Sequence, residues 1–310
     1  GIVYTNRERP VDRSVLTRMN SVIAHRGPDS DGFFVDRNVG LAMRRLAIID
    51  LASGDQPISN EDETVWVVFN GEIYNFPDLR VALESRGHSF TTNSDTESIV
   101  HLYEEHGLDC VNHLRGMFAL ALWDVRHQRL LLARDRGGQK PLYYAEHDGA
   151  VIFGSEIKCL LEYPGFPRNI DLEAIDHYLT LQYVPDPWTS FKHIRKLPPA
   201  HRLALESGNV SIERYWDLPY TPKLKGDQES LIEELQSKLR EAVRIRMISD
   251  VPLGAHLSGG IDSSLIVALM AEHASRPVKT FSIGFEEEEF SELEHARTVA
   301  ERCGTDHHEF

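Results

Sequence analysis

The chain has 310 residues, 26% of them charged and 41% hydrophobic, which suits about two folded domains and excludes a disordered polypeptide. Its 33 basic and 48 acidic residues give a formal charge of −15, which disfavours holding nucleic acid through an overall positive field. No apolar run approaches the roughly 20 residues that cross a bilayer, and Gly1 to Pro10 does not read as a signal peptide. Three scattered cysteines, Cys110, Cys159 and Cys303, make neither a disulfide framework nor a zinc site, so buried thiols and a cytoplasmic location are expected.

Gly1 to Tyr4 reads as a strand, and residues 10–24 as a helix with Val11, Val15, Met19 and Val22 at helical spacing. A polar, turn-rich run from His25 to Gly32 follows, then a weakly alternating stretch from Leu41 to Leu51. Thr64 to Phe69 is a continuous β-branched and aromatic run, expected to be a fully buried strand that stops at Asn70. Asn75 is the expected N-cap of the next helix, with Pro77 in its first turn and Gly87 beyond its end. Ser94-Asp95-Thr96-Glu97 reads as a capping box opening a helix from Ile99 to His106. Gly116 to Val125, Arg129 to Asp135, Leu142 to Ala145 and Val151 to Gly154 read as successive antiparallel strands. Asp171 to Leu181 is expected to be helical, with Leu172, Ile175 and Leu179 on its inner side. Many strands with helices outside them imply a layered α+β domain over residues 1–205.

Residues 206–228 carry Ser207-Gly208-Asn209, Pro219, Pro222 and Gly226 and read as a linker, with the second domain over residues 229–310. A helix is expected from Glu229 to Ile248, with Leu231, Leu235, Leu239 and Met247 on its buried stripe. Val251 to His256 reads as a buried strand and Leu265 to His273 as a packed helix. Between them lies Leu257-Ser258-Gly259-Gly260-Ile261-Asp262-Ser263-Ser264. A loop of small residues between a strand and a helix start is a phosphate-binding arrangement, because backbone N–H groups and the helix dipole face the same hollow. No Lys follows the glycines, so this is not the Gly-x-x-x-x-Gly-Lys pattern. Asp262 is the candidate ligand for a Mg²⁺ ion bridging a pyrophosphate. A strand from Val278 to Phe285, a helix from Ser291 to Cys303 capped by Ser291 and Glu294 and ended by Gly304, and a strand from His307 complete a βαβα pattern. That pattern predicts a parallel, doubly wound sheet. The acidic run Glu286 to Glu289 reads as a solvated loop. Two or three parallel strands do not make a stable sheet alone, so the chain is expected to be part of a longer protein.

In the first domain, Arg45 can clamp a carboxylate with two prongs. Glu72 and Asp95 can hold an ammonium, and Asn70 and Gly71 can donate to a developing oxyanion. Together these groups suit a free amino acid with a reactive side-chain amide. Spacing alone does not assemble them.

Two resemblances do. Ser258 to Ser264 resembles the loop of the PP-loop ATP-pyrophosphatase synthetases, which split ATP between its α and β phosphates. His25 to Asp29, Arg45 to Asp50, Asn70 to Asn75, Ser94 to Glu97, and Arg134-Asp135-Arg136 with Lys140 to Tyr144 resemble the class II glutamine amidotransferases. The combination, over essentially all 310 residues, is similar to the glutamine-hydrolysing asparagine synthetase family. That resemblance implies an α+β N-terminal-nucleophile αββα sandwich followed by an α/β PP-loop domain of the adenine nucleotide α-hydrolase-like type, incomplete at its C-terminus. It implies glutamine binding by Arg45, Leu46, Ala47, Ile48, Ile49, Asn70, Gly71, Glu72 and Asp95, with Asn70 and Gly71 as oxyanion hole. It implies ATP binding by Leu257, Ser258, Gly259, Gly260, Asp262, Ser263, Ser264 and Ile283, with Mg²⁺ at Asp262. The implied activity is ATP-dependent amidation of aspartate to asparagine through β-aspartyl-AMP, using ammonia from glutamine and releasing AMP and pyrophosphate. Implied partners are glutamine, aspartate and ATP, without nucleic acid or membrane, and a homodimer is the allowed assembly.

Two departures stand out. The family begins Cys-Gly-Ile-Val, its cysteine being the nucleophile and its own α-amine the base, whereas this chain begins Gly1-Ile2-Val3. None of the three internal cysteines is expected to substitute, and a cysteine directly before Gly1 is expected because every glutamine-clamp motif persists. The run Arg136-Gly137-Gly138-Gln139-Lys140 departs from the family where an aromatic or aliphatic residue is usual, which affects local packing more than chemistry. By that resemblance, the residues that complete the synthetase site and choose its acceptor are expected beyond Phe310. The alternatives are therefore a related carboxylate-amidating synthetase of a secondary-metabolite or polysaccharide pathway, or a non-catalytic glutamine- or nucleotide-binding paralogue.

Overall fold

The computed structural model describes residues 1–287 and 291–310, so Glu288 and Glu289 of the acidic run lie outside the described residues. The chain divides into two units, Gly1–Pro219 and Tyr220–Phe310.

In the first unit, apolar alternation at period two builds two six-stranded sheets. One has the order β10 (Arg195–Lys196), β8 (Tyr143–His147), β9 (Ala150–Gly154), β1 (Ile2–Tyr4), β3 (Val39–Arg45) and β2 (Ser30–Asp36). The other has the order β12 (Asn209–Arg214), β11 (His201–Glu206), β7 (Arg129–Arg134), β6 (Gly116–Asp124), β5 (Val65–Ile73) and β4 (Ile58–Ser59). Successive residues of β5 and β6 serve different layers. Val68, Ala119, Ala121 and Trp123 pack between the sheets against Val3 and Leu41. Val67, Phe69, Phe118 and Leu120 pack outward beneath α2 (Phe76–Glu84) and α3 (Glu97–His106). On the other outer face, Ile2 and Ile152 meet Val15 and Met19 of α1 (Arg13–Ser21) and Cys159 and Leu160 of α4 (Ile157–Leu161). Both faces of β5 and β6 are covered, so their sequences read as continuous apolar runs. The layering is the αββα sandwich.

Several local expectations change. β5 does not stop at Asn70; it runs on to Ile73, with Gly71 opposite Phe118. The strands expected in one succession divide, β6 and β7 pairing in one sheet and β8 and β9 in the other. Asn209–Arg214, expected within the linker, pairs along β11, so this stretch belongs to the first unit. Asn75 does not cap α2 with its side chain; it bridges the Arg115 N–H and the His113 carbonyl. Glu97 does not close a capping box but accepts from the backbone N–H groups and hydroxyls of Thr91 and Thr92, four donors that would otherwise need another acceptor. In α5 (Leu172–Leu181) the expected inner stripe is not inner. Leu172 and Leu179 are each 75% exposed, and Ala174 is the buried residue.

In the second unit, α6 (Gln228–Ile245) buries Val243 and Ile245, while Leu231 and Leu235 stay exposed. β13 (Gly254–His256), β14 (Lys279–Ser282) and β15 (Asp306–Glu309) form a parallel sheet, joined by α7 (Ile261–His273) and α8 (Leu293–Cys303). β13 has β14 alone as its partner in this sheet and is not the buried strand expected. Gly304 ends α8 in the left-handed conformation, φ 64°, as its sequence position suggested, but no side chain caps the helix start.

Candidate functional site

Two adjoining hollows open on the first unit. The larger, about 200 Å³, is walled by the β3 end and the loop after it (Arg45, Leu46, Ile48, Ile49), by β5 (Asn70, Gly71, Glu72), and by Asp95 before α3. Of the nine residues expected around glutamine, eight line it; Ala47 does not, its N–H instead donating to Asp29 at 2.9 Å. The smaller, about 80 Å³, contains Gly1 and Cys159 and shares Arg26, Arg44 and Asn70 with the first. Gly1 is held there because its nitrogen donates to the Phe153 carbonyl at 2.8 Å. Cys159 is buried and burial pushes its thiol pKa up, so it is not an activated nucleophile.

Asn70 lies on the wall common to both hollows, and its amide nitrogen is buried without a hydrogen-bond partner. A buried donor left unpaired is costly, so such a group points to a ligand acceptor. Gly71 beside it tolerates no side chain, since a Cβ would fall 2.0 Å from the Met117 carbonyl oxygen.

Two carboxylates face the same space. Burial raises the Asp95 pKa to about 6, although the Ile73 N–H donates to it at 2.8 Å. Glu72 is also raised, first by burial and then by the charge of Asp95, with Lys140 opposing. Burial is therefore the leading cause at both, and each disfavours the other's charge. A cation placed between them relieves both costs.

Arg45 is buried beneath the loop that follows it. Its guanidinium donates to the Ile49 and Asp50 carbonyls at 3.0 and 2.6 Å and to Asp55 at 3.0 Å. Gly54 lets that loop cross, because a Cβ there would lie 2.4 Å from an Arg45 nitrogen. Arg45 thus holds the loop as well as lining the hollow. Sequence reasoning missed Arg26, Arg44, Gln56, Ser94, Thr96 and Lys140 as lining residues. Arg26 and Lys140 sit inside motifs already singled out, which was a usable signal; Arg44, whose Nε is buried and unpartnered, had none beyond adjacency to Arg45.

The Arg134-Asp135-Arg136 string has a packing role. Asp135 is fully buried and accepts from the Phe118, Gly137, Gln139 and Lys140 N–H groups at 3.0–3.1 Å. This holds the loop that presents Lys140 to the hollow.

In the second unit, Gly259 has φ 82°, and a Cβ there would meet His295 Cβ at 2.5 Å and the Ala296 nitrogen at 2.6 Å. Only glycine fits, so the loop can lie against α8. Gly260 is the N-cap of α7 and offers no side chain to cover the first helical N–H groups. Ser258 and Ser263 hydroxyls lie 3.0 Å apart, and the Ser264 hydroxyl is buried without a partner. Asp262 is exposed in the first turn of α7. A hollow of about 180 Å³ beside the loop is lined by Leu257, Ser258, Ile283 and Glu292 among others; of the expected nucleotide residues, Gly259, Gly260, Asp262, Ser263 and Ser264 do not line it. The orphaned Ser264 hydroxyl, the uncovered helix start and an exposed carboxylate fit a magnesium-bound phosphate chain.

A glutamine amidotransferase domain model matches residues 1–216, and an asparagine synthase model matches residues 234–310. Asparagine synthetase (glutamine-hydrolyzing) 1 of Bacillus subtilis (strain 168) is 42% identical over 292 residues, 94% of this chain and 46% of the relative. Amidase chry2 of Gibberella zeae is 38% identical over 257 residues, 81% of this chain and 38% of the relative. The chain spans about half the length or less of these relatives. Among solved structures, the glutamine phosphoribosylpyrophosphate amidotransferase from B. subtilis covers 99% of this chain and 64% of its own, with TM-score 0.51 and 15% identity, a likeness of fold.

Proposed function

Because the chain belongs to the glutamine amidotransferase family through residues 1–216 and carries an asparagine synthase match after it, we propose that the larger hollow binds free glutamine and that its amide nitrogen is passed to an ATP-activated carboxylate. The observation that carries this reading is Asn70, a buried amide donor without a partner, set beside Glu72 and Asp95. Glutamine's ammonium would sit between the two carboxylates, and its carboxylate would meet the N–H groups of Arg45 not spent on the loop. Its side-chain amide would then point to Asn70 and Gly71, which donate to the oxyanion as the carbonyl is attacked.

In this reading the nucleophile belongs to the second hollow, which Gly1 lines. A cysteine joined to Gly1 would start from a position that shares Asn70 with the glutamine site, and its own α-amine would take the thiol proton. The leaving group is ammonia, and water then cleaves the thioester.

In the same reading, the loop from Leu257 to Ser264 with Ile283 holds ATP, and Asp262 holds Mg²⁺, which supplies charge neutralisation when bound. The acceptor is aspartate, activated as β-aspartyl-AMP with loss of pyrophosphate, and the product is asparagine. The free state of all three cysteines agrees with a cytoplasmic setting. No described helix is long and apolar enough to cross a membrane.

The test uses the parent protein over its full length. Asn70→Ala should cut glutaminase turnover by about a hundredfold while ammonia-dependent synthesis persists. Asp262→Asn should abolish ATP–pyrophosphate exchange while glutaminase activity persists. Glutaminase activity untouched by Asn70→Ala, or exchange untouched by Asp262→Asn, refutes the corresponding half. Labelled aspartate that yields no amide refutes the acceptor.

A further inference from the structure

On the far side of α3 from the sandwich core of β5 and β6, four side chains from three separate segments bring one ligand atom each to a common point. Glu61 comes from the turn between β4 and β5, His88 from the connection between α2 and α3, and His101 and Glu104 from α3 itself. The four atoms all lie within 4.8 Å of one another. His101 Nδ1 is 3.0 Å from Glu104 Oε2 and 3.8 Å from Glu61 Oε2, and His88 Nδ1 is 3.4 Å from the same Glu104 oxygen. A tetrahedral zinc ion with bonds of about 2.0–2.1 Å separates its ligand atoms by about 3.3 Å. The observed spacings bracket that value.

Three of the four groups are also aimed from behind. The second oxygen of Glu61 accepts from the Ser89 N–H at 2.8 Å, and the second oxygen of Glu104 accepts from the Asn60 amide at 2.8 Å. The far nitrogen of His88 pairs with Glu105 at 3.0 Å, and the tautomer with its proton on that nitrogen turns the Nδ1 lone pair inward. The far nitrogen of His101 is buried without a hydrogen-bond partner, the nearest Glu97 oxygen lying 3.9 Å away. A carboxylate behind a ligating imidazole is the usual outer arrangement of a metal site. His101 is fully buried, whereas the Glu61 side chain is 37% exposed and leaves a way in. With both imidazoles deprotonated, as metal ligation requires, the two carboxylates give the shell a charge of −2, which a divalent ion neutralises.

We propose that Glu61, His88, His101 and Glu104 form a binding site for a divalent transition metal of the zinc class. The ion ties the β4–β5 turn and the α2–α3 connection to α3. It is separate from the glutamine and nucleotide hollows, neither of which contains these residues. Imidazole and carboxylate together select zinc over magnesium, which demands oxygen ligands and keeps its waters.

The experiment titrates the tag-free, chelator-stripped full-length protein with ZnCl₂ against a chromophoric zinc indicator. A parallel titration with CoCl₂ reads the visible d–d bands of four-coordinate cobalt. One equivalent is expected, with Co²⁺ bands, at least tenfold weaker in His88→Ala and in Glu104→Gln, and about tenfold weaker in Glu105→Gln. The exposed control His193→Ala should bind as the parent does. Far-UV circular dichroism checks folding, and Glu61→Gln at the exposed rim serves if a variant misfolds. Absence of the cobalt bands, zinc binding that survives His88→Ala and Glu104→Gln, or MgCl₂ competing on equal terms overturns the proposal.

Discussion

Replacing Asp95 by asparagine should stabilise the first unit at neutral pH and at the same time damage its binding site. Burial lifts the Asp95 pKa from 3.8 to about 6. Between those values the folded chain holds a proton that the unfolded chain has lost, so stability falls as pH rises from about 4 to about 6. Above that range both states are ionised and the folded state bears the full cost of a buried charge. A ratio of about a hundred in acidity corresponds to about 3 kcal/mol. The substituted amide would keep an oxygen for the Ile73 N–H, at the cost of the longer contacts from the Ser94 and Thr96 hydroxyls, each at 3.4 Å. The expected net gain is therefore about 1–3 kcal/mol at pH 7.5, shrinking to nothing below pH 4. Urea unfolding of both chains at pH 3.5, 5, 6 and 7.5, followed by tryptophan fluorescence, measures this directly. Glutamine affinity, read by calorimetry, should fall about 10–100-fold in the variant at pH 7.5, because the ammonium loses a charged partner. In the parent it should fall as pH drops below 6. A variant less stable than the parent at pH 7.5, or a gain that does not change with pH, would refute the reasoning.

Asp135→Ala leaves four backbone N–H groups of a buried loop without their acceptor, and should cost about 2–4 kcal/mol in urea unfolding; a loss under 1 kcal/mol would contradict the bonding described. Gly71→Ala drives a Cβ to within 2.0 Å of the Met117 oxygen and should cost about 3 kcal/mol or more; a parent-like denaturation midpoint would show that β5 and β6 can part without penalty. Gly259→Ala meets both a positive φ and α8, and should abolish protection of the second unit by Mg-ATP against limited proteolysis; undiminished protection would remove the loop from the proposed nucleotide site. Trp123→Ala, at 1% exposure between the sheets, should cost about 3–5 kcal/mol, and a thermal midpoint unchanged from the parent would place the core elsewhere.

What residue order by itself determined is local in origin. The runs of β5 and β6, the helix of α1 and the left-handed Gly304 were legible because each depends on side-chain period or on one residue's backbone freedom. The hollow proposed for glutamine was legible through resemblance, and eight of the nine expected residues do meet at one place. What only tertiary structure decided are matters of partnership across the chain. Strand spacing is the same whether β8 joins β7 or β9, so the division into two sheets appears only when long-range pairing is fixed. The apolar stripe of α5 looks like any core-facing stripe, yet its burial depends on what is packed against it. Glu97 has the spacing of a capping box, but the fold turns its carboxylate to the N–H groups of Thr91 and Thr92 instead. Asn70 is an ordinary asparagine in the sequence; only the fold leaves its amide buried and unpaired, which is what makes it a donor in waiting. Glu61 and His88 are far from His101 along the chain, and their meeting is a product of helix packing that no spacing rule encodes.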